Sequence, residues 1–105
     1  MLGVHLGGHY STGPILGDFF ASPADPVFWL HHAQLDRLWW QWQSAGNGWD
    51  RIFGRNALSG GNTTLNIPPS PNITLNYVMN WDVLSTKAKT IREVMDVREY
   101  CYQYT

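Results

Sequence analysis

Four histidines, His5, His9, His31 and His32, are the residues of this sequence best suited to chemistry, and all lie in its first third. Neutral imidazole is the commonest metal ligand in proteins. His5 and His9 are four residues apart, so on a helical turn both rings share one face and can reach a single ion. His31 and His32 are adjacent, and neighbouring helical residues point about 100° apart. At most one of that pair therefore faces a site set by His5 and His9. His32 is the stronger candidate: Asp36 follows one turn later, and a carboxylate there can accept an imidazole N–H and fix the ring's orientation and tautomer. His31 is then a packed or hydrogen-bonded residue.

Three imidazoles with no thiolate or carboxylate suit copper, zinc, iron or nickel. The helical His-x-x-x-His of zinc proteases carries a glutamate after the first histidine as general base. Here that place is Leu6, and no acid lies between His5 and His9. This argues against a zinc protease and leaves a structural or carbonic-anhydrase-like zinc open. By spacing alone, metal binding and plain packing are evenly matched.

The elements that must position these residues are uneven. Gly3, Gly7, Gly8, Gly13 and Gly17 crowd the opening stretch, where propensity opposes a long helix and a turn or two around His5–His9 is the expectation. Asp25 and Pro26 form an N-cap and first helical residue, and the segment from Pro26 to about Gln43 is the clearest helix. Phe28, Leu35, Leu38 and Trp42 lie on one stripe, and His32, Leu35, Trp39 and Trp42 on an overlapping one. Gly46-Asn47-Gly48 ends it. The apolar surface is wider than a small bundle needs, so this helix is expected to be buried on more than one side, with Phe28, Trp29, Trp39 and Trp42 as core. Residues 54–71, rich in Gly, Asn, Ser and Pro, read as an irregular loop. Residues 73–78 alternate as a short strand does, and 90–97 suit a short helix with Ile91, Val94 and Met95 on one face. The aromatic end, residues 100–104, is expected to pack.

With 105 residues, one small domain with a modest core is expected. A formal net charge of −1 gives no basic stripe for nucleic acid, and no apolar run is long enough for a bilayer. The one cysteine, Cys101, cannot form an internal disulfide and reads as a buried free thiol. Asn62-Thr63-Thr64 and Asn72-Ile73-Thr74 fit the N-glycosylation pattern, which tilts an otherwise unknown location towards secretion.

The run Asp25-Pro26-Val27-Phe28-Trp29-Leu30-His31-His32-Ala33-Gln34-Leu35-Asp36-Arg37 resembles the second copper-binding signature of the tyrosinase and catechol oxidase family. In that signature the second histidine of the pair is the ligand, which is His32 here. Gly3-Val4-His5-Leu6-Gly7-Gly8-His9 resembles the His-x-x-x-His pair giving the same copper its other two ligands. Asp18-Phe19-Phe20-Ala21-Ser22-Pro23 is similar to the link in filamentous-fungal members, and Tyr102-Gln103-Tyr104 to the Tyr-x-Tyr motif closing the catalytic domain. The resemblance is strong over 3–43, looser over 91–104 and weak between.

It implies a mainly α fold: the C-terminal part of an antiparallel four-helix bundle with long irregular loops, residues 1–105 being a partial copper-binding domain. It implies copper, one ion from this chain and a pair in the complete enzyme, with His5, His9 and His32 as metal ligands and Asp36 supporting them from behind. It implies dioxygen and a phenolic substrate oxidised to an o-quinone. The first-copper ligands are expected in a missing upstream segment, so the chain alone is expected to be inactive. Efficient monophenol hydroxylases of the family often carry asparagine after the first ligand of this copper. With Leu6 there, oxidation of o-diphenols is the safer expectation. The alternatives are a non-enzymatic copper- or dioxygen-binding remnant, and a structural zinc domain.

Overall fold

The computed structural model describes residues 2–84 and 87–105. The fold is mainly α, as expected. Helices α1 (Leu2–Ser11), α2 (Pro14–Gly17), α3 (Pro26–Ser44) and α4 (Gly48–Ile52) are joined by 3-10 turns and loops. The only sheet among the described residues pairs β1 (Val78–Met79) with β2 (Lys89–Thr90) antiparallel, Val78 opposite Thr90 and Met79 opposite Lys89. No helix among the described residues is long and apolar enough to cross a membrane. The chain divides into two compact units, Met1–Trp42 and Gln43–Thr105.

In the first unit α1 is longer than its glycines suggested, ten residues rather than a turn or two. Propensity is a weak prior that packing overrides, and α1 packs on α2. The buried centre here is small: Leu16 is 1% exposed and Ser22 4%. Asp18 turns the chain between α2 and the 3-10 turn Ser22–Ala24, its Oδ1 accepting from the backbone N–H groups of Phe20 and Ala21, both at 2.8 Å. These two bonds, Ala21's first, hold the Asp18 carboxyl below its usual pKa.

Helix α3 begins where its sequence says it should. Asp25 Oδ1 accepts from Val27 N–H at 2.9 Å, satisfying one of the donors that a helix start leaves without an intrahelical partner. Pro26, which lacks an N–H, takes the first position. The helix closes at Ser44, and Gly46 adopts φ +67° just beyond, a conformation open to glycine at little steric cost. The expected burial of its aromatics is corrected. Of the four expected core rings, Trp29 is 63% exposed, Trp39 and Trp42 are also exposed, and Phe28 alone is half-buried, as is the neighbouring Trp40. Within this unit α3 has one long helix, α1, to cover an apolar surface that runs round most of its circumference.

The second unit has its own centre: Ile52, Ala57, Met95 and Val97 are buried, with Gln43 and Asp96. Gln43 Nε2 donates to the Met95 carbonyl at 3.4 Å. Arg51 donates to the Ala45 carbonyl at 2.7 Å, meeting an acceptor just past the end of α3. The expected strand over 73–78 is pared to its last residue in β1, although Leu75 and Tyr77 carbonyls still accept from Arg92 and Ile91 N–H groups. The helix expected over 90–97 is a 3-10 turn, Ile91–Val94, and a second turn, Val97–Glu99, starts at the last expected residue. Thr90 and Glu93 form a reciprocal cap at the first, and Asp96 caps the second by accepting from Arg98 N–H; the second cap restarts the chain and prevents one continuous helix. Cys101 is exposed, not buried. The terminal rings partly meet the expectation of packing: Tyr100 and Tyr104 are half-buried, whereas Tyr102 is exposed.

Candidate metal centre

The site lies in the first unit, built by one face of α1 and the first half of α3. His5 and His9 stand one turn apart on α1, with ring centroids 4.8 Å apart. His9 Nε2 lies 3.1 Å from His5 Nε2 and 3.1 Å from His32 Nε2. Residues 23 positions apart in the sequence thus present the same ring atom to one point. Nitrogens at this separation are close enough to share one ion at the usual His–metal distance of about 2.0–2.1 Å.

The protons on His9 follow from its partners. Its Nδ1 faces the Leu16 carbonyl at 2.8 Å, and a carbonyl can only accept. Nδ1 therefore carries the proton, and in the neutral ring Nε2 holds a lone pair. Ser22 Oγ lies 3.2 Å from the same Nδ1. The tautomer left by this arrangement is the one a metal ligand needs. Burial, and next the neighbouring histidine charges, push the His5 and His32 pKa values below the ordinary imidazole value. The neutral form of both rings is thereby favoured. Phe28 stacks on His32, with centroids 4.2 Å apart and planes 28° from parallel.

His31 points elsewhere with its Nε2, which donates to the backbone carbonyl of His5 at 3.0 Å. One of its ring nitrogens is nevertheless within 4.8 Å of a nitrogen of His5 and of His9, so proximity alone admits two triads. The engaged Nε2 of His31 and the 3.1 Å approach of His32 favour the triad containing His32. Asp36 lies one turn beyond His32 on α3 and is exposed. Three contributors had no place in the sequence reading: the Leu16 carbonyl, Ser22 and Gly8. A backbone carbonyl leaves no signal in residue type, and Ser22 is an ordinary residue before a proline. Gly8 did leave one, since a glycine inside a helix costs stability and implies a packing reason.

Beside the histidines is an open cavity of about 260 Å³, walled by Leu6, Tyr10, Leu16, Phe19, Pro23 and Phe28, with His5, His9 and His32 on its floor. The lining is mostly apolar and aromatic, and Asp18 and Ser22 join the histidines as its polar members.

Residues 1–45 match the family model described as the common central domain of tyrosinase. The chain belongs to the tyrosinase family. Among its relatives is the N-acetyl-6-hydroxytryptophan oxidase ivoB of Emericella nidulans, 49% identical over 98% of this chain and 29% of that protein. The oxidase hkm6 of Aspergillus hancockii is 44% identical over 99% of this chain and 35% of its own length. Tyrosinase P of Aspergillus terreus is 42% identical over 99% of this chain and 28% of its own. The chain thus spans about a third of the length of these tyrosinase-like fungal relatives. The match covers nearly all of this chain, so the second unit is family sequence as well as the histidine-bearing first.

Proposed function

We propose that this chain holds one copper ion through His5, His9 and His32, as one half of the paired-copper centre of an oxidase acting on o-diphenols. The observation that carries the reading is the approach of three Nε2 atoms, 3.1 Å on each side of His9, with the His9 proton committed to Leu16. The donor set fits: three neutral imidazoles without carboxylate or thiolate suit copper. Copper, when bound, supplies the redox chemistry by which two catechols each give up two electrons and two protons while one dioxygen takes up four of each and leaves as two waters.

The chain's own residues bind and orient. His9 is held by Leu16, and His32 is held flat against Phe28. The cavity wall of Leu6, Tyr10, Phe19 and Phe28 offers an aromatic ring apolar contact beside the histidines. Leu6, next to His5, has no side-chain amide or acid with which to orient a water against a phenol hydroxyl, which favours o-diphenols over monophenols. The name of one relative, an oxidase of N-acetyl-6-hydroxytryptophan, supports a hydroxylated aromatic as substrate class.

The sequence has four histidines, and three are taken by this ion. A second ion needs ligands from another segment, and we assign to that segment the role of covering the exposed apolar side chains of α1 and α3. The test is copper and zinc titration of the chain, followed by a catechol oxidation assay with and without a histidine-bearing partner segment. One copper per chain, no o-quinone from the chain alone and turnover with the partner are expected. Turnover by the chain alone, linear in its concentration, overturns the half-site reading. Preference for zinc with no redox response favours a structural metal domain instead.

A further inference from the structure

We propose that His31 is a positioning residue which ties α3 to the backbone of α1, and that Gly8 is glycine because its missing side chain admits the His31 ring. The inference rests on the assignment of His5, His9 and His32 as ligands.

The His31 Nε2 faces the His5 carbonyl at 3.0 Å. The oxygen can only accept, so this nitrogen carries the proton and has no lone pair for a metal. To ligate through Nε2, His31 would have to break that bond. The ring lies over the bare backbone of Gly8. A Cβ built there would stand 2.6 Å from His31 Nε2 and 2.7 Å from Nδ1, and closer still to Cε1. All are far inside van der Waals contact. The adjacent Gly7 is different: a Cβ there meets nothing within 4 Å. Two neighbouring glycines of one helix therefore have unlike reasons to be there, and only Gly8 has a steric one.

The consequence lies in which residues this tie joins. Its acceptor belongs to the ligand His5, and its donor is the immediate neighbour of the ligand His32. One hydrogen bond thus fixes α1 relative to α3 at the level of the metal site. The nearly parallel His5 and His31 rings, 22° apart with centroids separated by 5.8 Å, show the same register. Ligation by three nitrogens from two helices depends on that spacing, whereas neither helix alone can hold it.

The test is Cu(II) affinity of the full chain, with the nitrogen pattern in the electron paramagnetic resonance spectrum of the bound ion. Gly8→Ala is expected to weaken copper binding by roughly 10- to 100-fold, as loss of a supporting contact does, even though alanine favours helix. Gly7→Ala is expected to bind as the wild type does. His31→Ala is expected to weaken binding by a similar factor while keeping the wild-type number of nitrogen ligands. His31→Gln, which retains an N–H donor, should recover part of the loss. The double variant Gly8→Ala/His31→Ala should bind no more weakly than His31→Ala alone, because the added methyl then has no ring to meet. Loss of one nitrogen from the His31→Ala spectrum makes His31 a ligand and overturns the proposal. So does wild-type affinity in Gly8→Ala, or multiplication of the two effects. If His31→Ala does not fold, the contrast between Gly8→Ala and Gly7→Ala decides the matter. Absence of copper binding by the wild type overturns the ligand assignment itself, an outcome distinct from failure of the variants.

Discussion

The Nδ1–H of His9 donates to the backbone carbonyl of Leu16 at 2.8 Å, so the best-buried side chain of the first unit and the central histidine of the site are set by one residue. Core packing and the orientation of the His9 ring are coupled through that carbonyl. Replacing Leu16 by Ala should therefore do two things. The buried cavity should lower stability by roughly 2–5 kcal/mol, read as a lower denaturant midpoint of the helical signal, and metal affinity should fall with it. Loss of stability with unchanged metal affinity would show that the carbonyl stays in place when its side chain is cut back.

The pH response of the metal-free chain follows from His5 and His32. Burial first, and then neighbouring histidine charge, lowers both pKa values from the ordinary 6.5. The folded state thus binds protons less readily than the unfolded one. The stability contributed is fully present above about 6.5 and is lost as pH falls through the lowered folded values. Protons compete with a metal for the same nitrogens, so copper affinity should drop over that window. Denaturation midpoints and copper titrations at pH 7.5 and 5.5 measure both effects. A flat response between those values would contradict neutral, burial-shifted imidazoles.

Asp25 caps α3 through Val27 N–H. Asp25→Ala should cost about 1 kcal/mol, and Asp25→Asn, which keeps an acceptor, should cost less. Because α3 carries His32, the cost should appear in thermal melting followed by helical circular dichroism. An alanine variant melting with the wild type would mean that the bond contributes nothing.

In the second unit, Asp96 is 6% exposed and accepts from Arg98 Nε at 2.8 Å, from an Arg98 terminal nitrogen at 2.6 Å and from Arg98 N–H at 3.0 Å. The side-chain bonds from Arg98 are the main cause that holds its carboxyl below the usual range, against an opposing push from burial. A lowered carboxylate pKa contributes stability that is present above the unfolded value, about 3.9. That contribution is lost as pH falls through the folded value. Asp96→Asn should lower the denaturant midpoint at neutral pH and flatten its decline in acid. The effect should shrink little with salt if the buried bonds dominate, and substantially if the exposed guanidinium charge does.

The histidine spacing, the Asp25-Pro26 helix start and the resemblance of residues 25–37 were enough to mark the candidate ligands and the family, because residue type and local periodicity are written in neighbouring residues. The mainly α class was legible for the same reason: α3 is coded by a cap, a proline and an apolar period within a single stretch. α1 was underestimated, since its glycines oppose a helix locally and its support comes from packing on other elements. The helix expected over 90–97 proved to be a 3-10 turn, Ile91–Val94, with Asp96 capping a new turn at Val97.

The sequence by itself marked four histidines as candidate ligands and led to the expectation that only one of His31 and His32 faces the His5–His9 pair; the structure brings both rings to that pair. His32 was already the preferred ligand candidate; what the tertiary structure adds is the contact that each ring makes. One ring reaches His9 across 23 residues and the other lies on the bare backbone of Gly8. Distances between helices are set by packing, and packing has no period in the chain. The exposure of Trp29, Trp39 and Trp42 was likewise beyond the sequence: an apolar residue carries its preference for burial along the chain, but burial itself requires a neighbour, and neighbours are supplied in three dimensions.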